Sequence, residues 1–323
     1  KGHLMPTVLL SAPYMIPYLE QFQPILQHYG IETIVPEVHE RLSEEEILSY
    51  AGQFDGAVCG DDRYTERVIK ACLPRLKVIS KWGTGIDSID SQTAERLGIK
   101  VCRTPNAFTL PVTDSIFGYM LAFARRQPWM DQEIKAGQWR KIPGKALHEC
   151  TLGIVGVGTI GKLVARRAKA FGMPVLGNDI VEIDHVFLAE TGIEMVPLKA
   201  LLERSDFVSL NCTLNPTSHH LINCDTLDLM RPGAVLINTA RGPVVDEGAL
   251  IQALQSGRIA GAALDVFEHE PLPADSPLLK MNNVMLAPHN ANSSPTAWER
   301  VHWNTIHNLL VGLGLDPKKV DEK

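Results

Sequence analysis

The sequence has no apolar run near the roughly 20 residues that a bilayer-spanning helix needs. It has no basic segment followed by an apolar one at its start, so no secretory signal is expected. Its six cysteines, Cys59, Cys72, Cys102, Cys150, Cys212 and Cys224, show neither the close spacing of a metal site nor the density of a disulfide framework. They are expected to be reduced thiols in a cytoplasmic protein, with no metal. Positive charge is also short: 31 Lys and Arg against 37 Asp and Glu leave a formal charge of -6, and the basic residues are scattered. That excludes a nucleic-acid surface. A small molecule remains as the partner, and 323 residues are enough for two domains, each with its own core. Lys1-Gly-His-Leu-Met5 reads as an appended remnant, because the first strand-like run starts only at Thr7.

What is present begins with Thr151-Leu-Gly-Ile-Val-Gly-Val-Gly-Thr-Ile-Gly161. Leu152 to Val155 read as a buried strand, and Gly156, Gly158 and Gly161 set a G-x-G-x-x-G spacing as a helix starts at Thr159. The first glycine turns the chain, the second lets backbone approach a pyrophosphate, and the third lets helix pack on strand. The amides of Thr159 and Ile160 open the helix, whose N-terminus carries the partial positive charge that phosphates seek. Asp179 ends the next apolar run at the distance expected for a carboxylate on the adenosine ribose. No Arg or Lys follows it before Lys199, so the expected cofactor is NAD rather than NADP.

From Thr7 to about Asn106, short apolar runs alternate with helical segments. The strand candidates are Thr7–Leu10, Gly56–Cys59, Leu76–Ile79 and Ile99–Cys102, and Ser43-Glu-Glu-Glu opens a helix with a capping box. Such alternation implies a parallel sheet covered on both faces. In Ser80-Lys-Trp-Gly-Thr-Gly-Ile-Asp, Gly83 and Gly85 could expose amides to an anion with the Lys81 charge beside them; the alternative is a turn into a helix capped at Asp87 or Ser88. Thr104 to Pro111 reads as a hinge. Thr113 to about Ala136 reads as one long helix that Pro128 interrupts or restarts. The arm after it, with Trp129 and Trp139, points to a homodimer.

Further strands are expected at Val175–Leu176, Phe207–Leu210, Ala234–Ile237, Ile259–Leu264 and Asn283–Leu286. Each ends in polar residues, among them Asn211, Thr239, Arg241, Asp265 and His289. Carboxyl ends of parallel strands line the ligand crevice, so these residues should meet. Arg241 has the fork that pairs with a carboxylate. His289 can protonate a carbonyl oxygen near neutral pH. Glu270 can hold the imidazole in one tautomer, with Glu268 as its rival, and Asp265 could accept a bond from the nicotinamide carboxamide. His219-His220 reads as the start of a helix. The segment Pro295 to about Leu313 reads as an amphipathic helix that returns to the first domain.

Taken together, Lys81-Trp-Gly-Thr-Gly-Ile-Asp, the Gly156 turn, Asn238-Thr-Ala-Arg-Gly, Ala263-Leu-Asp-Val-Phe-Glu-His-Glu-Pro271 and Pro288-His289 resemble the D-isomer-specific 2-hydroxyacid dehydrogenase family over nearly the whole chain. The resemblance implies two doubly wound α/β domains with parallel sheets. One is a discontinuous, flavodoxin-like substrate domain of residues 6–106 plus 291–323; the other is a Rossmann NAD-binding domain of residues 107–290 that also dimerises. It further implies a catalytic Arg241, Glu270 and His289, which settles the choice against Glu268. Amides from Trp82 to Thr84 would grip the substrate carboxylate, and Asp265 would contact the nicotinamide. The implied reaction is the interconversion of a D-2-hydroxy acid and its 2-oxo acid. The glycine run is most similar to that of phosphoglycerate dehydrogenases, but Lys81 and Trp82 stand where an Arg and a small residue are usual. Asn292 and the Asn211-Cys-Thr stretch also depart from the pattern. With Asn106 and Trp139, these residues would shape the substrate pocket. Reductases of glyoxylate or hydroxypyruvate are the alternative, and NADH-sensing binding proteins a more distant one.

Overall fold

The computed structural model describes residues 5–318, so Lys1–Leu4 of the run read above as a remnant lie outside the described residues. The chain forms two compact units, one running through Phe108 and resuming at Ser294, the other Thr109–Ser293. No helix among the described residues is long and apolar enough to cross a membrane.

The first unit runs β1 (Thr7–Leu10), α1 (Leu19–His28), β2 (Glu32–Ile34), α2 (Glu44–Leu48), β3 (Gly56–Cys59), α3 (Glu66–Ala71), β4 (Val78–Lys81), α4 (Ser91–Arg96) and β5 (Lys100–Cys102). Its five strands are parallel in the order β2-β1-β3-β4-β5, the flavodoxin-like doubly wound arrangement. β1, β3 and β4 are buried nearly throughout because helices cover both faces. The Ser43 capping box is present, with the Ser43 amide donating to Glu46 Oε2 at 2.7 Å.

The second unit runs α5 (Thr109–Arg125), α6 (Gln127–Lys135), β6 (Leu152–Val155), α7 (Thr159–Ala170), β7 (Val175–Asn178), α8 (His185–Thr191), β8 (Glu194–Met195), α9 (Leu198–Arg204), β9 (Phe207–Leu210), α10 (Cys224–Leu227), β10 (Val235–Asn238), α11 (Glu247–Gln255), β11 (Gly261–Leu264) and β12 (Val284–Leu286). The seven strands are parallel in the order β12-β11-β10-β9-β6-β7-β8. This is the dinucleotide-binding order with one strand added, and it places the switch point between β6 and β9. The last helix, α12 (Pro295–Gly312), belongs to the first unit. Gly312 lets it lie directly on β4, since a side chain there would stand 2.2 Å from Val78. Ser80 Oγ also donates to the Thr305 carbonyl at 2.8 Å.

Several expectations change. β2 and β8 are short edge strands without a strong apolar run, and β4 begins two residues later than expected. The long helix breaks at Arg126, which takes a left-handed φ of 58° before α6 starts at Gln127 with Pro128 in its first turn. The helix after the Gly83 run is capped by Asp90, whose carboxylate accepts the Thr93 amide, rather than by Asp87 or Ser88. His219-His220 sits in a turn, and the next helix starts only at Cys224 with Asn223 as its cap.

Candidate active site

The second unit's nucleotide turn is built as its glycines require. Gly156 has φ 90°, and a Cβ there would lie 2.5 Å from the Cys212 amide, so the turn packs against the end of β9. A Cβ on Gly161 would meet the Gly156 carbonyl at 2.1 Å, the tight strand-to-helix contact. Gly158 is different: a side chain there would touch nothing within 4 Å. Open space over a bare backbone, at a helix start whose cap residue makes no side-chain bond, is what an incoming phosphate needs. Thr159 is exposed and Ile160 half-buried on that first turn. Asp179 stands at the same place, its carboxylate accepting the Val157 amide at 2.6 Å and the Val181 amide at 3.1 Å.

Two neighbouring strand ends carry orphaned polar atoms. Asn211 Oδ1, after β9, and Thr239 Oγ1, after β10, are buried without a hydrogen-bond partner. Buried acceptors and hydroxyls are costly when unpaired. At the carboxyl edge of a doubly wound sheet, beside an open glycine turn, they fit a bound dinucleotide that would complete them.

The catalytic candidates follow β10, β11 and β12. Arg241 follows β10, and its Nη1 donates to the Ala240 carbonyl at 2.7 Å. The neighbouring Gly242 lies against the chain at Phe267 and Glu268, so closely that a Cβ would stand 1.8 Å from the Phe267 carbonyl oxygen. That segment leads to Glu270, whose Oε1 accepts the Phe267 amide at 2.9 Å while Oε2 lies 2.9 Å from His289 Nδ1. The pair is only partly exposed, 22 % for His289 and 19 % for Glu270, so the contact is shielded from water but reachable. With Nδ1 bonded to the carboxylate, the ring is held in one orientation. Glu268 is engaged elsewhere: it lies 2.5 Å from His220 Nε2 and accepts the Glu247 amide. The geometry thus separates the two glutamates that residue types alone left open.

Asp265 is built into the loop that carries His289. It is 1 % exposed, and its two oxygens already accept the Asn290 and Ala291 amides at 2.8 and 2.9 Å. Burial pushes this carboxyl above its ordinary range, against the opposing effect of those amides and of His289.

The first unit holds the other expected contacts, and two are corrected. Lys81 is not a free charge beside glycines: it is 4 % exposed, with Nζ 3.0 Å from Asp61 and donating to the Trp82 carbonyl at 3.1 Å. Trp82 offers no amide, because its N–H continues the sheet by donating to Cys59 at 2.8 Å. Its indole turns into the core, among Tyr14, Phe108 and Trp298, and Nε1 donates to His302 Nδ1 at 2.9 Å. Residue types gave no hint of this histidine's partner. Gly83 has φ 120° and accepts the Thr104 amide; Thr84 Oγ1 donates to the Thr104 carbonyl at 2.9 Å; Asn106 is exposed with φ 56°.

Comparison with known proteins agrees with this geometry. A family model described as the NAD-binding domain of D-isomer-specific 2-hydroxyacid dehydrogenases matches residues 117–291. A glyoxylate reductase of Korarchaeum cryptofilum is 44% identical over 243 residues, 73% of this chain and 73% of the relative. A D-3-phosphoglycerate dehydrogenase of Methanocaldococcus jannaschii is 39% identical over 264 residues, 81% of this chain but 50% of the relative. Among solved structures, the D-lactate dehydrogenase of Aquifex aeolicus, complexed with NAD and lactic acid, has a TM-score of 0.84 at 29% identity and covers 98% of both chains. The chain therefore belongs to the D-isomer-specific 2-hydroxyacid dehydrogenase family, NAD-dependent oxidoreductases that interconvert a D-2-hydroxy acid and its 2-oxo acid.

Proposed function

We propose that the chain reduces a small, unphosphorylated 2-oxo acid of the glyoxylate or hydroxypyruvate class, with Arg241, Glu270 and His289 as its catalytic residues. The observation that carries the choice of substrate is the Lys81–Asp61 ion pair: a buried ammonium already matched by a carboxylate at 3.0 Å has no charge left for a substrate phosphate. Several relatives are named glyoxylate reductases, which supports the same choice.

In this reading the nucleotide lies on Gly156, Gly158, Thr159, Ile160 and Gly161, with Asp179 at the ribose and Asn211 and Thr239 as further contacts. NAD, when bound, supplies or accepts the hydride. The Arg241 guanidinium pairs with the substrate carboxylate through two parallel bonds. His289 Nε2 gives a proton to the oxygen of the carbonyl as it becomes a hydroxyl, and takes it back in the reverse direction. Glu270 keeps Nδ1 protonated and the ring aimed. Residues 6–106 with 291–323 form the substrate domain, and residues 107–290 form the nucleotide domain. A cytoplasmic homodimer through the latter is part of the proposal: Trp139 is 92% exposed on the arm after α6, and the six cysteines are free thiols.

The test is steady-state oxidation of NADH with glyoxylate, hydroxypyruvate and phosphohydroxypyruvate. Glyoxylate or hydroxypyruvate should be preferred in kcat/KM, and His289→Ala should lower kcat by about 10²–10⁴-fold. Preference for the phosphorylated acid overturns the substrate choice, and a His289→Ala variant with normal turnover overturns the assignment of the acid. NADH binding without turnover on any acid would mark a sensor.

A further inference from the structure

β10 and β11 lie side by side, with Asn238 opposite Leu264, and each ends in one polar residue that is 1 % exposed. At the end of β10, Asn238 Nδ2 donates to the Arg241 carbonyl at 2.9 Å, while Oδ1 accepts the Ala240 amide at 3.1 Å. Asp265, just beyond β11, holds three consecutive residues. Its carbonyl accepts the His289 amide at 2.8 Å, and its carboxylate oxygens accept the amides of Asn290 and Ala291. The two residues are themselves joined, the Asp265 amide donating to the Asn238 carbonyl at 3.0 Å.

His289 has φ 50°, a left-handed conformation that a residue with a side chain keeps only where its surroundings impose it. Three bonds from one residue are such an imposition. A buried carboxylate is also an expensive way to close a loop, as the upward displacement of its titration indicates. What it supplies is a pair of acceptors for the Asn290 and Ala291 amides, which an apolar residue at that place would leave unpaired. Both ends of Asn238 go to the Arg241 loop, and both oxygens of Asp265 go to the His289 loop. The adjacent Asn211 and Thr239, by contrast, each keep an unmatched polar atom.

We propose that Asn238 and Asp265 form a single clamp that sets where the Arg241 guanidinium and the His289 imidazole stand relative to each other. Both are positioning residues for carbonyl reduction, acting through the backbone of the loops they hold. The inference rests on Arg241 and His289 acting as proposed above. The task stands beside the nicotinamide contact expected of Asp265 and does not depend on it.

The experiment is a pair of double-mutant cycles, read by NADH-driven glyoxylate reduction, with NADH affinity and thermal midpoint measured for every variant. Asn238→Asp keeps the side chain's shape and the acceptor for Ala240 but loses the donor to Arg241. Asp265→Asn keeps one acceptor of two. Because displacement of a reacting group by about 1 Å costs about 10²-fold, each variant should lose on the order of that in kcat/KM while NADH affinity stays within about twofold. Asn238→Asp should act chiefly on KM and Asp265→Asn chiefly on kcat. On an Arg241→Ala background Asn238→Asp should then add nothing, and on a His289→Gln background Asp265→Asn should add nothing. Full additivity on those backgrounds, or NADH affinity lost in step with turnover, overturns the clamp. If the Arg241→Ala and His289→Gln single variants themselves keep normal turnover, the proposed function fails instead. Should Asp265→Asn not fold, the Asn238→Asp cycle decides alone.

Discussion

Each unit has a buried parallel strand that turns towards a helix, β1 in the first and β6 in the second, and the two turns finish in opposite ways. After β1 the turn is filled by its own residues. Ser11 is fully buried with Oγ donating to Asp62 Oδ2 at 2.5 Å, Ala12 and Met15 are fully buried, and Leu42 donates its amide to the other Asp62 oxygen at 2.6 Å. After β6 the turn is left bare: a side chain on Gly158, the cap of α7, would meet nothing within 4 Å. A strand-to-helix turn becomes a ligand site when the protein declines to complete it. Topology is common to the two turns, and satisfaction of their polar groups is what differs.

The largest test of that contrast fills the bare turn. Gly158→Glu meets no steric obstacle, so the thermal midpoint should not move, yet it puts a carboxylate where a pyrophosphate belongs. Like charges in close contact cost several kcal/mol, and about 2.8 kcal/mol is already a hundredfold, so NADH affinity by calorimetric titration should fall at least ~10²-fold. An unchanged affinity would mean that the open turn is not the phosphate site.

The converse test relieves the filled turn. Burial raises the Asp62 carboxyl to about 6 despite the bonds from Ser11 and Leu42. A folded-state value above the unfolded one means that the native state holds the proton more tightly. The Asp62 contribution to stability is therefore most favourable below about pH 4, falls as pH rises to about 6, and stays lower beyond it. Asp62→Asn retains an acceptor for Leu42 and gives Ser11 an amide partner, so it removes the buried charge without orphaning a neighbour. At roughly 1.4 kcal/mol per unit, stability at pH 8 should rise by roughly 2–3 kcal/mol, measured by denaturant titration. A destabilised variant at pH 8 would show that the charge itself holds the turn together.

How much of this the sequence discloses follows from the range of the interactions. Gly156, Gly158 and Gly161 are legible because their work is local: each spacing encodes a backbone approach within one turn. The long central strands are legible for a similar reason, since burial on both faces writes them as continuous apolar runs. β2 and β8 are not, because a short edge strand is defined by the neighbour it pairs with. The same limit governs the site. Arg241 and His289 announce themselves as chemistry at strand ends, while the choice between Glu268 and Glu270 is a matter of position: His220, 48 residues before Glu268, occupies one and His289 the other. Lys81 and Trp82 misled for the same cause, since Asp61 and His302 decide what they do and neither is marked in the sequence as a partner.

The smallest expected effect lies beside that tryptophan. His302 accepts the Trp82 indole N–H and is held neutral, burial pushing its value down to about 4. A histidine whose folded value lies below its unfolded one contributes stability that is complete above about pH 6.5 and is lost as pH falls toward 4. This slope is opposite in sign to that of Asp62 and covers nearly the same window. The two contributions should largely cancel in the unaltered protein between pH 4 and 6, so that their sum is flat to within about 1 kcal/mol. The Asp62→Asn variant should expose the histidine alone, with stability declining as pH drops through that range and Trp82 fluorescence following it. If the variant stays as flat as the parent, His302 is not charging inside the folded unit. The indole bond would then be no more than packing.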